Sequence, residues 1–169
     1  MKKKLIKSIL FLVFVICLLC NATYKTNPLQ KEIDLFNKYD KISNNELISF
    51  YVIQYSKQFN VPSDLVMSII KTESEFQVVR WHINTNGTID RSLMALNSAS
   101  FPDLKREQFY DIKTNLYYGI KYLSYLQSKT NNTVLTVMAY NGGLYNTLHH
   151  KLQRSTYNYV VKVMKTNCI

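Results

Sequence analysis

The sequence predicts a nearly all-α domain behind a short N-terminal leader, and three observations carry that expectation. Apolar residues recur three and four apart in stretch after stretch, and no segment alternates convincingly as a strand. Glycine is scarce, with 4 Gly against 13 Tyr in 169 residues, which speaks against a turn-rich β-sandwich and against a Gly-rich phosphate loop. This length holds one domain plus a targeting segment, and a chain that is 47% hydrophobic and 13% aromatic can build a core without staples.

The leader comes first. Lys2, Lys3, Lys4 and Lys7 precede an apolar run from Ile9 to Leu19, a basic region followed by a hydrophobic one, as in a secretory signal. The run falls short of the roughly 20 apolar residues a membrane span needs. Residues 1–22 are therefore expected to be a signal peptide or a lipoprotein signal. Cys20-Asn21-Ala22 suits cleavage before Thr23, whereas Leu19-Cys20 loosely fits lipidation of Cys20, and an uncleaved signal would also leave a membrane anchor. All these routes lead to the periplasm or cell envelope. The formal charge is +10, and without residues 1–22 it is +6, from 17 basic against 11 acidic residues. Such a balance outside the cytoplasm suits an acidic polymer and disfavours nucleic acid as partner. The three cysteines, Cys17, Cys20 and Cys168, form no disulfide framework.

Residues 23–41 read as a spacer or docking helix, weakly amphipathic from Leu29 to Phe36, and residues 42–168 as the domain. Ser43-Asn44-Asn45-Glu46 has the capping-box pattern and opens a helix with Leu47, Ile48, Tyr51, Val52 and Tyr55 at core spacing. Pro62-Ser63 ends it, with Ser63 as N-cap of a second helix running to Glu73 or Glu75. Arg80 to Asp90 reads as a loop with a turn at Asn84-Thr85-Asn86-Gly87. A short helix is expected from Arg91 to Ala99 and another short piece after Phe101-Pro102-Asp103. A long helix follows from about Asp111 to Lys129, burying Ile112, Leu116, Ile120, Leu123 and Leu126. Thr133 opens the next, which Asn141-Gly142-Gly143 stops. Ser155 or Thr156 starts a last helix carrying Tyr159, Val160 and Val163 inward.

Metal chemistry finds no support in the spacing: His149 and His150 are adjacent, His82 stands alone, and no His or Cys cluster has ligand spacing. No cofactor motif is present, and no Gly-x-Ser-x-Gly elbow supports a serine nucleophile. Glu73 stands out. The residues three, four, seven and eight before it are Ile70, Ile69, Val66 and Leu65, so its carboxylate points where the core should be, while Glu75, behind Thr72 and Lys71, points to water. Burial and the negative end of the helix dipole both raise such a group's pKa. A carboxylic acid still protonated near neutral pH is what protonates a leaving sugar oxygen. The competing reading is a salt bridge to a core-edge Lys or Arg, and periodicity alone leaves the two level.

Five motifs in order then bear on the choice. The stretch Val61-Pro62-Ser63-Asp64-Leu65 through Lys71-Thr72-Glu73-Ser74-Glu75-Phe76 resembles the opening motif of the soluble lytic transglycosylase family, whose fold is lysozyme-like. Asp90-Arg91-Ser92-Leu93-Met94-Ala95-Leu96-Asn97 looks like its Gly-Leu-Met-Gln segment, and Asn115-Leu116-Tyr117-Tyr118-Gly119-Ile120-Lys121-Tyr122-Leu123 its Asn-Ile-x-x-Gly-x-x-Tyr-Leu helix. Ala139-Tyr140-Asn141-Gly142-Gly143 is similar to its Ala-Tyr-Asn-Ala-Gly motif, and Tyr159-Val160-Val161-Lys162-Val163 to its closing Tyr-Val-x-x-Val. The resemblance implies a domain of about six to eight helices acting on peptidoglycan. Its reaction would be cleavage of the β-1,4 bond from N-acetylmuramic acid to N-acetylglucosamine with a 1,6-anhydro product. Glu73 matches the single catalytic glutamate, acid first and base second, and Ser74, Ser92, Met94, Tyr140 and Asn141 match cleft positions that bind substrate. Two residues depart from the pattern: Ser92 replaces a usual glycine, and Ala95 replaces a glutamine, which removes a donor and an acceptor. Two other readings stay open, a hydrolytic muramidase with Asp90 helping an attacking water, and a non-catalytic glycan-binding or scaffolding module.

Overall fold

A computed structural model describes residues 27–166; the expected export signal at 1–22 and Cys168 lie outside them. The chain divides into two units, residues 1–38 and 39–169. Seven α-helices occur among the described residues: α1 (Pro28–Ser43), α2 (Glu46–Phe59), α3 (Ser63–Ser74), α4 (Ile112–Thr130), α5 (Thr133–Gly142), α6 (Leu144–Leu148) and α7 (Arg154–Lys165). α1 starts within the first unit, and its last turn, from Tyr39, belongs to the second. None of the described helices is long and apolar enough to cross a membrane.

Local chemistry sets the ends of the helices. Asn45 caps α2 by accepting from the backbone N–H groups of Leu47 and Ile48. Ser43, the expected cap, is buried beneath that turn, its hydroxyl 2.9 Å from the Tyr39 carbonyl and 3.2 Å from Ser49 Oγ. Ser63 is likewise not a cap but the first residue of α3, and its Oγ accepts from the Tyr39 hydroxyl at 2.7 Å. Asp111 caps α4 through Thr114 N–H, and Asn132 caps α5 through Leu135 N–H. Asn60 and Asn131 end α2 and α4 in the left-handed conformation that asparagine tolerates.

The core of the second unit gathers around α3 and α4, each of which packs on α2. α2 and α4 make the most extensive helix–helix contact, and α5 packs against α4, α6 and α7. Leu116, Ile120, Leu123 and Leu126 of α4 are buried at three- and four-residue spacing, and so are Leu65, Val66, Ile69 and Ile70 of α3, whereas Ile112, expected with them, is only partly buried in the first turn. Leu47 differs: it faces solvent, and only Ile48, Val52 and Tyr55 of the α2 stripe are buried.

The stretch expected to form a loop and then a helix, Arg80 to Ala99, is instead a small antiparallel sheet of β1 (Trp81–Ile83), β2 (Ile89–Arg91) and β3 (Leu96–Asn97), in that order. Trp81 pairs with Arg91, His82 with Asp90, and Asp90 in turn with Asn97. The expected helix cannot form because Ser92 and Ala95 adopt φ of 63° and 47°, which break any right-handed run. The strands are two or three residues long, too short to show alternation. The sheet is held by side chains: Asn84 Nδ2 donates to Asp90 Oδ2 at 2.9 Å, and Asn97 Nδ2 to Asp90 Oδ1 at 2.7 Å.

Candidate active site

Glu73 lies on the last turn of α3, and the helix stops at once behind it. Glu75 and Phe76 both take left-handed φ, 53° and 64°, and Glu75 N–H closes the turn on the Lys71 carbonyl. Two consecutive residues in this region turn the chain sharply. Glu75 is thereby left exposed, its carboxylate 4.0 Å from Arg80 Nη1. Glu73 stays half-buried above the apolar floor of Ile69 and Ile70.

Among the described residues, its carboxyl group has one hydrogen-bond partner. The Tyr159 hydroxyl, on α7, donates to Glu73 Oε1 at 2.5 Å. Burial pushes the Glu73 pKa up from 4.5 to about 7; the charge of Asp90 pushes the same way, while the Tyr159 hydrogen bond, Lys162 and Arg80 oppose it. Near neutral pH the group is therefore poised between acid and base. Burial, and then the charge of Glu73, raise the hydroxyls of Tyr140 and Tyr159 well above their ordinary value, so both remain neutral donors.

Facing Glu73 is the segment Ser92 to Ala95, pinned from behind. Asn115 is fully buried in α4; its Oδ1 accepts from Met94 N–H at 3.0 Å, and its Nδ2 donates to the carbonyls of Phe109 and Arg91. Gly119, one turn on, leaves the space that Met94 fills, and a Cβ there would overlap the Met94 sulfur. Tyr140 on α5 donates its hydroxyl to the Met94 carbonyl at 2.6 Å. From α3, Ser74 Oγ lies 3.0 Å from the Leu93 carbonyl. Three side chains from three helices thus fix one short segment.

Two hollows meet at the acid. The larger, about 630 Å³, is lined by uncharged polar groups such as Asn84, Thr88, Asn97 and Gln153 and by the rings of Phe101 and Tyr122. The smaller, about 330 Å³, is lined by Thr72, Arg80, Trp81, His82, Tyr159 and Lys162 among others. Glu73, Asp90, Ala95 and Asn141 border both, so a chain-like ligand can run past the carboxyl group from one side to the other. A groove of polar amides and hydroxyls with flat rings fits a sugar polymer, whose faces are apolar and whose edges are hydroxyls.

The profile of a family described as "Transglycosylase SLT domain" matches residues 50–161. The chain belongs to that family. The SLT domain takes in α2 from Phe50, the sheet, and the following helices as far as Val161 in α7, and so contains Glu73, both hollows and Tyr159. Among solved structures, the domain is similar to an inactive mutant of the lytic transglycosylase Slt from Pseudomonas aeruginosa, at 22% identity and a TM-score of 0.55. The match covers 67% of this chain and 22% of that one, and it establishes a shared fold with a lytic transglycosylase. No curated protein matches.

Within the SLT domain, the residues expected at the cleft separate into two groups. Glu73, Ser92, Tyr140 and Asn141 border the hollows. Ser74 and Met94 are fully buried and border neither; their place is behind the cleft wall, which they brace. Sequence reading missed the role of Tyr159, which the apolar spacing of α7 assigned to the core along with Val160 and Val163. Its hydroxyl was the available signal, since a tyrosine on a buried stripe needs a polar partner. The amide clamp of Asn84 and Asn97 on Asp90 had no signal, because it depends on strand pairing over two or three residues.

Proposed function

We propose that this SLT domain is a peptidoglycan lytic transglycosylase that cuts the bond between N-acetylmuramic acid and N-acetylglucosamine with Glu73 as its single acid and base. The observation that carries the reading is the half-buried Glu73, with a pKa of about 7, at the junction of two hollows. In its protonated form Glu73 gives its proton to the glycosidic oxygen as the bond breaks. The resulting carboxylate then takes the proton of the muramyl 6-hydroxyl, which closes on C1 to give the 1,6-anhydro end. Each cycle returns the proton to Glu73, so no water is consumed. The substrate's own acetamido group stabilises the positive charge at C1. Tyr159 keeps Oε1 fixed through both halves, and as a neutral donor it favours the anion left after the first transfer. The Pseudomonas relative was solved as an inactive mutant in which glutamine replaces glutamate, in keeping with a single essential carboxyl group.

Among the described residues, Asp90 is the only other acid bordering both hollows, and it would be the helper in a hydrolytic reaction. Each of its oxygens already accepts from an amide, Asn84 or Asn97, an arrangement suited to a fixed wall charge that raises the Glu73 pKa. A polymer outside the cytoplasm as substrate agrees with the export signal expected at residues 1–22. The test is a digest of purified sacculi with products read by mass. Anhydro ends, lighter than reducing ends by one water, and their loss in Glu73→Gln, are the expected result. Reducing ends would assign a hydrolytic muramidase, and binding without any release would assign a non-catalytic module.

A further inference from the structure

Charge is divided along the chain in a way that bond cleavage does not use. All 11 acidic residues lie at or before Asp111, whereas seven of the 21 basic ones follow it. The stretch from α4 onward therefore carries cations and no acidic side chain, and α7 shows what that produces on a surface. Its inner row, Thr156, Val160 and Val163, is buried. Arg154, Tyr157, Val161 and Lys165 stand three or four apart on an outer row about 16 Å long, and all four are exposed. Lys162, beside that row, borders the smaller hollow together with Arg80 and Trp81. There the surface of α7 adjoins β1. Trp81 and Ile83, two apart on the edge strand, share one face and are 60% and 55% exposed, and Val79 in the turn before them is 77% exposed. Acids near this surface are already engaged: Asp90 accepts from Asn84 and Asn97, and Glu75 lies 4.0 Å from Arg80.

Five apolar side chains held in water among cations on two adjoining elements mark an interaction surface. A protein partner fits poorly, since β1 offers three residues and a specific protein interface takes about 20 a side. A polyanion would meet the cations but leave the rings and branched side chains in water. A bilayer with acidic headgroups meets both. We propose that the outer row of α7 and the ridge of Val79, Trp81 and Ile83 form a docking surface for a bilayer bearing anionic lipid. The apolar side chains enter the headgroup boundary, where Trp and Tyr keep their polar atoms wet, and Arg154, Lys162 and Lys165 meet phosphates. The export signal expected at residues 1–22 brings the chain to a membrane in any case. Docked in this way, the domain holds the smaller hollow, and Glu73 with it, next to lipid. The contact depends neither on Glu73 nor on the proposed reaction and is tested apart from them.

Trp81 is the only tryptophan in the chain, so its emission reports this surface alone. The full chain is mixed with vesicles of phosphatidylcholine, with and without phosphatidylglycerol, and with the same lipids brominated on their acyl chains. Anionic vesicles are expected to shift the Trp81 emission to the blue and their brominated form to quench it, whereas neutral vesicles do both weakly. A leader that stays in the bilayer does so in every sample, so the ratio of touching to lifted surface still reads the contact. Arg154→Gln/Lys165→Gln lowers that ratio on anionic vesicles by roughly fivefold per cation and leaves it unchanged on neutral ones. Tyr157→Ser/Val161→Ser lowers it by roughly tenfold on both, the scale of two methylene-sized groups leaving lipid. Trp81 emission that stays the same on anionic vesicles, or quenching that neither variant changes, overturns the proposal. So does an equal blue shift with dextran sulfate in place of vesicles, which would assign a soluble polyanion. A blue shift that grows with protein concentration in the absence of lipid would assign a second copy of this chain and overturns it too.

Discussion

Glu73→Gln should make the folded domain more resistant to urea at alkaline pH than the wild type, and the gain should vanish in acid. The folded-state pKa is about 7 against an ordinary 4.5. Below 4.5 both the folded and the unfolded wild type hold the proton, so pH changes nothing. Between 4.5 and 7 the unfolded chain releases its proton while the folded one keeps it, and wild-type stability falls as pH rises. Above that window the fall is complete. At about 1.4 kcal/mol per unit, it amounts to about 3 kcal/mol. The glutamine variant has no proton to lose, and its amide oxygen still accepts from Tyr159, so it lacks this slope. The assay is equilibrium urea unfolding of both proteins at about pH 4, 6 and 8.5, read as the difference in unfolding free energy. A difference that stays flat with pH refutes the reasoning. A wild type that gains on the variant as pH rises would restore the salt-bridge reading of Glu73, in which the pKa is lowered.

Three further outcomes follow from the same geometry. Tyr159→Phe removes the bond that favours the Glu73 anion; the alkaline limb of the pH–rate profile should move to higher pH, and kcat should fall by roughly 10- to 100-fold, the scale of one charge-assisted bond. An unmoved limb would mean that Tyr159 only packs. Asn115→Ala strips three hydrogen bonds from the buried wall and should cost about 3 kcal/mol by thermal unfolding, through carbonyl and N–H groups left unpaired. Gly119→Ala places a methyl group against Met94 and should destabilise by about 1–3 kcal/mol. Met94→Ala in the same chain should recover part of that loss in a double-mutant cycle, and strict additivity would contradict the contact.

The sequence was most legible where one helix face meets the core. The α3 stripe of Leu65, Val66, Ile69 and Ile70 is buried, and Glu73 and Glu75 part toward the interior and the solvent as the three- and four-residue spacing requires. Legibility failed between Arg80 and Ala99. There the backbone conformation is set by Ser92 and Ala95 in left-handed φ and by side-chain amides on Asp90, features with no period to detect. It also failed at caps, since Ser43 and Ser63 have the right chemistry but are drawn into contacts with Tyr39. Ser74 and Met94 were marked by motif position as cleft residues; distance along the chain could not tell a wall from the brace behind it. Tyr159 needed the tertiary fold, because its partner is set by where α7 lands on α3.

That pairing has a consequence for when the acid becomes competent. Tyr159 follows Glu73 by 86 positions, and Ser68 of α3 reaches 98 positions ahead to the Thr166 carbonyl for a bond of 3.1 Å. A chain still emerging from the ribosome carries Glu73 as an ordinary solvated carboxylate without burial or hydroxyl partner. The acid is tuned only once the last helix has docked. Under the proposed transglycosylase reading, the order of folding itself delays the acid until the domain is complete.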